Sequence, residues 1–150
     1  IDIRIARDGR WYHEGTPIRR QRMVNLFATI LRRDADGEFY LVTPVEKLRI
    51  KVDDAPFVAI DLDIAGSGVE QILLFTTNVG DQVVVDAQHP LRVDENPDTG
   101  EPSPYVLVRA GLEALINRPT FYRLAERVEE YRGEQGAWSS GRFFPLNGDG

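Results

Sequence analysis

Arg10-Trp11-Tyr12-His13-Glu14-Gly15-Thr16-Pro17-Ile18 packs two aromatics, one of the chain's two histidines, a carboxylate and a helix-start signature into consecutive positions. Before it, Ile1 to Ala6 alternates apolar with polar residues and Asp8-Gly9 marks a tight turn, so Arg10 to His13 reads as the returning strand of a ribbon. After it, Thr16 is expected as the N-cap of a helix with Pro17 at its first position. Met23, Val24, Phe27, Ile30 and Leu31 follow at helical spacing, and the predicted helix ends near Asp34, with Arg32 and Arg33 against the negative end of its dipole. Near the other end, Gly136-Ala137-Trp138-Ser139-Ser140-Gly141-Arg142-Phe143-Phe144-Pro145-Leu146 again sets a Trp after a small turn, then a Gly, then an apolar residue beside Pro. Two Trp residues in similar strand-like contexts at opposite ends point to an internal duplication.

Between these ends the pattern shortens. Asp36-Gly37 is a turn, and Glu38 to Thr43 reads as a strand that stops at Pro44. Glu46 to Val52, Phe57 to Ile64, Gln71 to Thr76, Gln82 to Val85, Leu91 to Val93 and Tyr105 to Val108 follow as strands separated by turn-forming residues. That regular spacing predicts an antiparallel meander or small barrel, not a parallel sheet. Ala110 to Ile116 is expected as a short helix. Asn117-Arg118-Pro119 then starts a longer one, with Phe121, Leu124, Ala125 and Val128 inside and Glu126, Arg127, Glu129 and Glu130 outside. The expected class is α+β: two tightly packed α+β subdomains, a ribbon–helix–strand unit over 1–44 and a helix-capped meander over 45–150. The boundary falls between 44 and 53. Two units pressed together share a groove, a preferred place for a small-ligand site.

Composition narrows the chemistry. The 150 residues can bury a core and include no Cys, which excludes disulfide scaffolds, thiolate catalysis and cysteine-based metal sites. Residues 1–20 contain no signal-peptide apolar core, and no apolar run is long enough to span a bilayer, so a soluble cytoplasmic protein is expected. The net charge of −6 is uneven: residues 1–52 carry 11 basic and 7 acidic side chains, residues 53–100 carry 1 and 10, and residues 101–150 carry 6 and 7. No basic stripe outweighs the acidic middle, which disfavours nucleic acid and an anionic membrane surface as partners.

Local motifs for chemistry are sparse. His13 and His89 lie far apart without a ligand-spaced companion, and Asp61 and Asp63 lack a calcium-loop context, so no metal or cofactor is expected. Ala65-Gly66-Ser67-Gly68 joins two strands and precedes no helix, so it reads as a turn and not as a phosphate loop. The stronger candidate is distributed around the proposed junction. Thr43, Glu46 and Lys47 surround the break at Pro44, and Arg49, Arg109, Asn117 and Arg118 bring further polar groups. Trp11, Tyr12, Tyr122 and Trp138 offer flat faces for stacking.

The chain resembles a bacterial family, the domain of unknown function 1285, through Trp11 to Ile18, Tyr40 to Lys47, Asp54 to Phe57, Phe75 to Asn78, His89 to Leu91, Pro104 to Val106, Asn117-Arg118 and Trp138 to Gly141. The resemblance implies an intimate two-part fold with internal duplication, its C-terminal part similar to pleckstrin-homology folds. It also implies a site at the junction suited to a nucleotide-like ligand, and a role in signal transduction. The leading expectation is therefore a non-catalytic ligand-binding or signalling module. Trp11, Tyr12 and Trp138 would stack, and His13 and Glu14 would contact base or sugar. Thr43, Glu46 and Lys47 would anchor polar groups, and Arg109 or Arg118 would take phosphate. Two other classes stay open: a small enzyme acting on a phosphorylated or nucleotide substrate, with His13 as acid/base and Glu46 as its partner, and a scaffold that engages a partner protein.

Overall fold

A computed structural model describes residues 2–147. The first half runs β1 (Ile3–Ile5), β2 (Trp11–His13), β3 (Thr16–Pro17), α1 (Gln21–Thr29), β4 (Leu31–Arg33), β5 (Phe39–Val42) and β6 (Lys47–Val52). The second half runs β7 (Phe57–Ala65), β8 (Ile72–Thr77), β9 (Gln82–Val84), β10 (Leu91–Glu95), β11 (Pro102–Arg109) and β12 (Leu112–Ile116). It continues with α2 (Arg118–Ala125), β13 (Glu129–Tyr131), β14 (Glu134–Ser139) and β15 (Arg142–Pro145).

The duplication lies in strand order. The first six-stranded sheet is ordered β4-β5-β6-β1-β2-β3 and the second β10-β11-β12-β7-β8-β9. Each is a pair of three-stranded antiparallel meanders joined where its first and last strands pair in parallel. Ile5 sits beside Val52 in one seam and Leu115 beside Val58 in the other. The expectation of a purely antiparallel sheet is corrected by these seams. It is also corrected at β6, expected to open the second subdomain: β6 pairs with both β1 and β5 and so completes the first sheet. The join between the halves falls between Val52 and Phe57.

The opening segment folds differently from its helix-start reading. Glu14 and Gly15 both have positive φ, at 49° and 81°, which makes a two-residue hairpin turn that pairs His13 with Thr16 and Tyr12 with Pro17. Pro17 therefore lies on an edge strand, where its missing N–H leaves no ladder bond unmade. Helix α1 begins later, after Arg20, with no side-chain cap. Arg32 and Arg33 leave the helix for β4, because Leu31 is fully buried opposite Leu41. The residues from Ala110 to Ile116 also change type. Gly111, at φ 71°, turns the chain back, and Leu112 to Ile116 becomes a strand between β11 and β7. A nearly continuous apolar run suits a strand covered on both faces, and that burial overrides the helix propensity of Leu-Glu-Ala-Leu. Helix α2 starts as expected, with the Asn117 side chain accepting from the Thr120 backbone N–H at 3.1 Å. It ends early, because Glu129 to Tyr131 leave it to pair with β14.

The echo at Trp138 is a hairpin as well, turning at Ser140-Gly141 with φ of 54° and 74°. It is not a structural repeat of Trp11. Trp11 lies two residues before the pair that closes its turn, and Trp138 lies one before. With a side-chain period of two, that slip places the two indoles on opposite faces of their hairpins. One core cluster runs through both halves, from Ile5, Trp11 and Leu31 through Phe57, Leu62 and Phe75 to Ala137 and Phe144.

Candidate functional site

Two concave regions divide the residues expected in a single groove. The first is a cleft of about 650 Å³ between the halves. Arg7 and Asp8, from the β1–β2 turn, form one wall. Val58 and Ile60 of β7, Ser103 of β11 and Asn117, Arg118, Phe121 and Tyr122 at α2 form the others. Its polar groups are held by ion pairs: Arg7 donates to Asp54 at 2.7 Å and to the Ser103 hydroxyl at 3.1 Å, and Arg118 donates to Glu101 at 2.7 Å. Hydrogen bonding to Asp54 raises the pKa of Arg7. Tyr105 donates to the same carboxylate at 2.6 Å, and burial, reinforced by that bond, pushes its phenol well above the usual tyrosine range. Tyr122 stands out as an aromatic that remains 60% exposed at the rim.

The second is a pocket of about 380 Å³ inside the first half, between α1 and the sheet. Ile3, Ile18, Met23, Phe27, Ile30, Leu41 and Leu48 form its apolar lining, and His13, Thr43 and Glu46 are its polar members. Strand alternation explains the arrangement. Trp11 and His13 share the inner face of β2, Trp11 being buried beneath α1 and His13 lying opposite Ile3 toward the open end. Thr43 and Glu46 come from the β5–β6 turn, where the Thr43 N–H donates to the Glu46 carbonyl at 2.8 Å. His13 Nε2 is 3.7 Å from the Glu14 carboxylate, and among the described residues no hydrogen bond joins His13 to Glu46. The pair expected by the enzymatic reading therefore shares a pocket without being oriented as acid and base.

The remaining expected residues line neither region. Trp11 is 1% exposed, stacks on Phe27 at 6.1 Å and leaves its Nε1–H without a partner, so it offers no free face. Tyr12 lies on the other face beneath the Arg4 guanidinium, 5.4 Å away, which is tied to Asp53. Glu14 gives its backbone to the turn, and its carboxylate stays exposed beside His13. Lys47 pairs with Asp34 and lies 4.5 Å from the Tyr40 ring centre. Arg109 reaches from β11 to donate to the Ala28 carbonyl at 2.6 Å, capping the C-terminus of α1 from the opposite half. Its guanidinium also lies 5.4 Å from the Phe57 ring centre, and burial lowers its pKa. Trp138 packs against Tyr131 and Phe143 at 4.8 and 5.3 Å, and its carbonyl accepts from Gln71. Of the ten, the cleft collects Arg118 and the pocket collects His13, Thr43 and Glu46. Sequence reasoning missed Arg7, Ile60, Ser103 and Phe121. Arg7 lies 47 positions from its partner Asp54, and nothing local marks that pairing.

Among the described residues no group of three or more His, Cys, Asp or Glu is placed to hold a metal ion, and no helix is long and apolar enough to cross a membrane.

Two family models match the chain in succession: the N-terminal domain of DUF1285, a domain of unknown function, over residues 1–55, and the DUF1285 C-terminal domain over residues 56–146. Their meeting point lies just before β7. Among solved structures, a DUF1285 family protein from Silicibacter pomeroyi DSS-3 is similar at 60% identity and a TM-score of 0.93, with 97% of this chain and 79% of that one covered. One from Shewanella baltica OS155 is similar at 29% identity and a TM-score of 0.65, with 85% and 92% covered. No curated protein matches. With both halves matched in order and the fold shared with solved members, the chain belongs to the DUF1285 family.

Proposed function

We propose that the protein is a ligand-binding signalling module whose small, nucleotide-like ligand lies in the cleft between the halves. The observation that carries this reading is the lining of the cleft: it draws on both halves and gathers Asn117, Arg118 and the exposed ring of Tyr122 at one rim. A heterocycle would stack on Tyr122 above Ile60, and Arg118 would exchange Glu101 for a phosphate. That exchange is inexpensive, since an exposed ion pair contributes only about 0–1 kcal/mol. A ligand touching both Arg7 and α2 would favour one arrangement of the halves over another, which is the physical content of a signalling role. In the same reading the second half is a pleckstrin-homology-like unit, supported by a curled sheet followed by a helix.

The test is calorimetry with adenosine and guanosine mono-, di- and cyclic nucleotides on the intact protein, Arg118→Ala and Tyr122→Ala. At least one nucleotide should bind, with affinity reduced about tenfold in each variant, equivalent to roughly 1.4 kcal/mol. Absence of binding by every nucleotide removes the ligand class, and undiminished binding in both variants removes the cleft.

A further inference from the structure

The pocket of the first half is not used by the reading of the cleft. Its wall of Ile3, Ile18, Met23, Phe27, Leu41 and Leu48 is apolar, and its volume of about 380 Å³ lies within the size range of small-molecule sites. Among the described residues the Glu46 carboxylate has no cation within ion-pair distance, whereas Arg4, Lys47 and Arg49 of the same sheet each have a carboxylate partner. An unmatched carboxylate at an apolar pocket attracts a cation and repels an anion. An ammonium group has three N–H donors, and the polar lining supplies three kinds of acceptor: the Glu46 carboxylate, the Thr43 hydroxyl and a ring nitrogen of His13. The Phe27 ring and the Met23 thioether both suit an aromatic body.

We infer that this pocket binds a primary amine with an aromatic body, its ammonium group at Glu46, Thr43 and His13 and its ring between α1 and the sheet. The site is separate from the cleft, and its occupant differs in charge from a nucleotide.

Three probes of one shape and different head groups test this: 2-phenylethylamine, 2-phenylethanol and 3-phenylpropanoate. Met23 is the only methionine, so its methyl resonance reports occupancy of the pocket directly alongside calorimetry. The amine should bind at least tenfold tighter than the carboxylate and shift the Met23 signal, with the alcohol between them. Glu46→Gln, at an exposed turn, should weaken the amine about tenfold and leave the alcohol unchanged. Glu46→Lys should reverse the order of amine and carboxylate. Tyr122→Ala, in the cleft, should change none of these. Equal affinity for amine and carboxylate, no binding of the amine, a Met23 signal that does not move, or amine affinity indifferent to both Glu46 variants overturns the inference.

Discussion

The two six-stranded sheets share one strand order but are covered differently, and the covers decide what each half can hold. In the first half a single helix, α1, lies over the sheet, and a pocket remains between Phe27 and Leu48. In the second half the helix follows the sheet instead of interrupting it, and a third sheet, β13 to β15, completes the cover. Ala137 and Phe144 of that sheet join the core, and the Ser139 hydroxyl donates to the Val85 carbonyl at 2.7 Å and accepts from the Leu73 N–H at 3.0 Å. The same backbone plan thus yields a half with a pocket between its helix and sheet and a half in which a third sheet fills that space. Strand order sets the shape of each sheet, and the element laid across it sets the cavity.

The comparison can be broken most severely at the added cover. Phe144→Ala removes a buried ring from the filled half and should lower stability by about 4 kcal/mol in urea unfolding. Next comes the joint between the halves. A Cβ at Gly9 would lie 2.8 Å from Asn78 Nδ2 and 2.9 Å from Val58 Cγ2 at a φ of 93°, so Gly9→Ala should cost about 3 kcal/mol. Arg109→Ala removes the bond to Ala28 across the same joint and should cost about 2 kcal/mol, with a broadened transition if the halves then unfold separately. Phe27→Ala, in the pocketed half, should cost only about 1.5 kcal/mol, because its ring already faces open space. A loss equal to that of Phe144→Ala would remove the distinction between pocketed and filled halves.

The smallest expected effect is that of pH. Hydrogen bonding holds three exposed carboxyls below the ordinary range: Asp36 through Tyr40, Asp53 through Arg4, and Asp61 through the Leu62 N–H and Arg123. Their folded pKa values lie below the unfolded value of about 3.9, so their contribution is complete above that pH and disappears as pH falls through the folded values. The urea midpoint should fall slightly between pH 5 and pH 3, and less so in Asp53→Asn. A steeper fall in Asp53→Asn than in the parent would contradict this assignment.

Much of the strand pattern was legible because alternation and turn residues are local. Asp8-Gly9, Asp36-Gly37 and Asn117 lie where their backbone demands place them. The helix expected at Thr16 was misread because Thr-Pro suits both a helix start and an edge strand. The positive φ of Glu14 and the pairing of Tyr12 with Pro17 decide between them. The site was legible only in pieces. His13, Thr43 and Glu46 do converge, but inside one half, and Arg109 turned out to be a tie between halves because its acceptor lies 81 positions away.

Residue identity and short spacing are enough for the family, most strands and the lack of any thiol chemistry. The strand order repeated in the two sheets, their parallel seams, the strand at Leu112 to Ile116, the extent of the first half and the division of one expected groove into a cleft and a pocket emerge only in the folded chain. The physical reason is that these features are contacts between distant segments. Their free energy comes from burial and pairing, which no local pattern encodes.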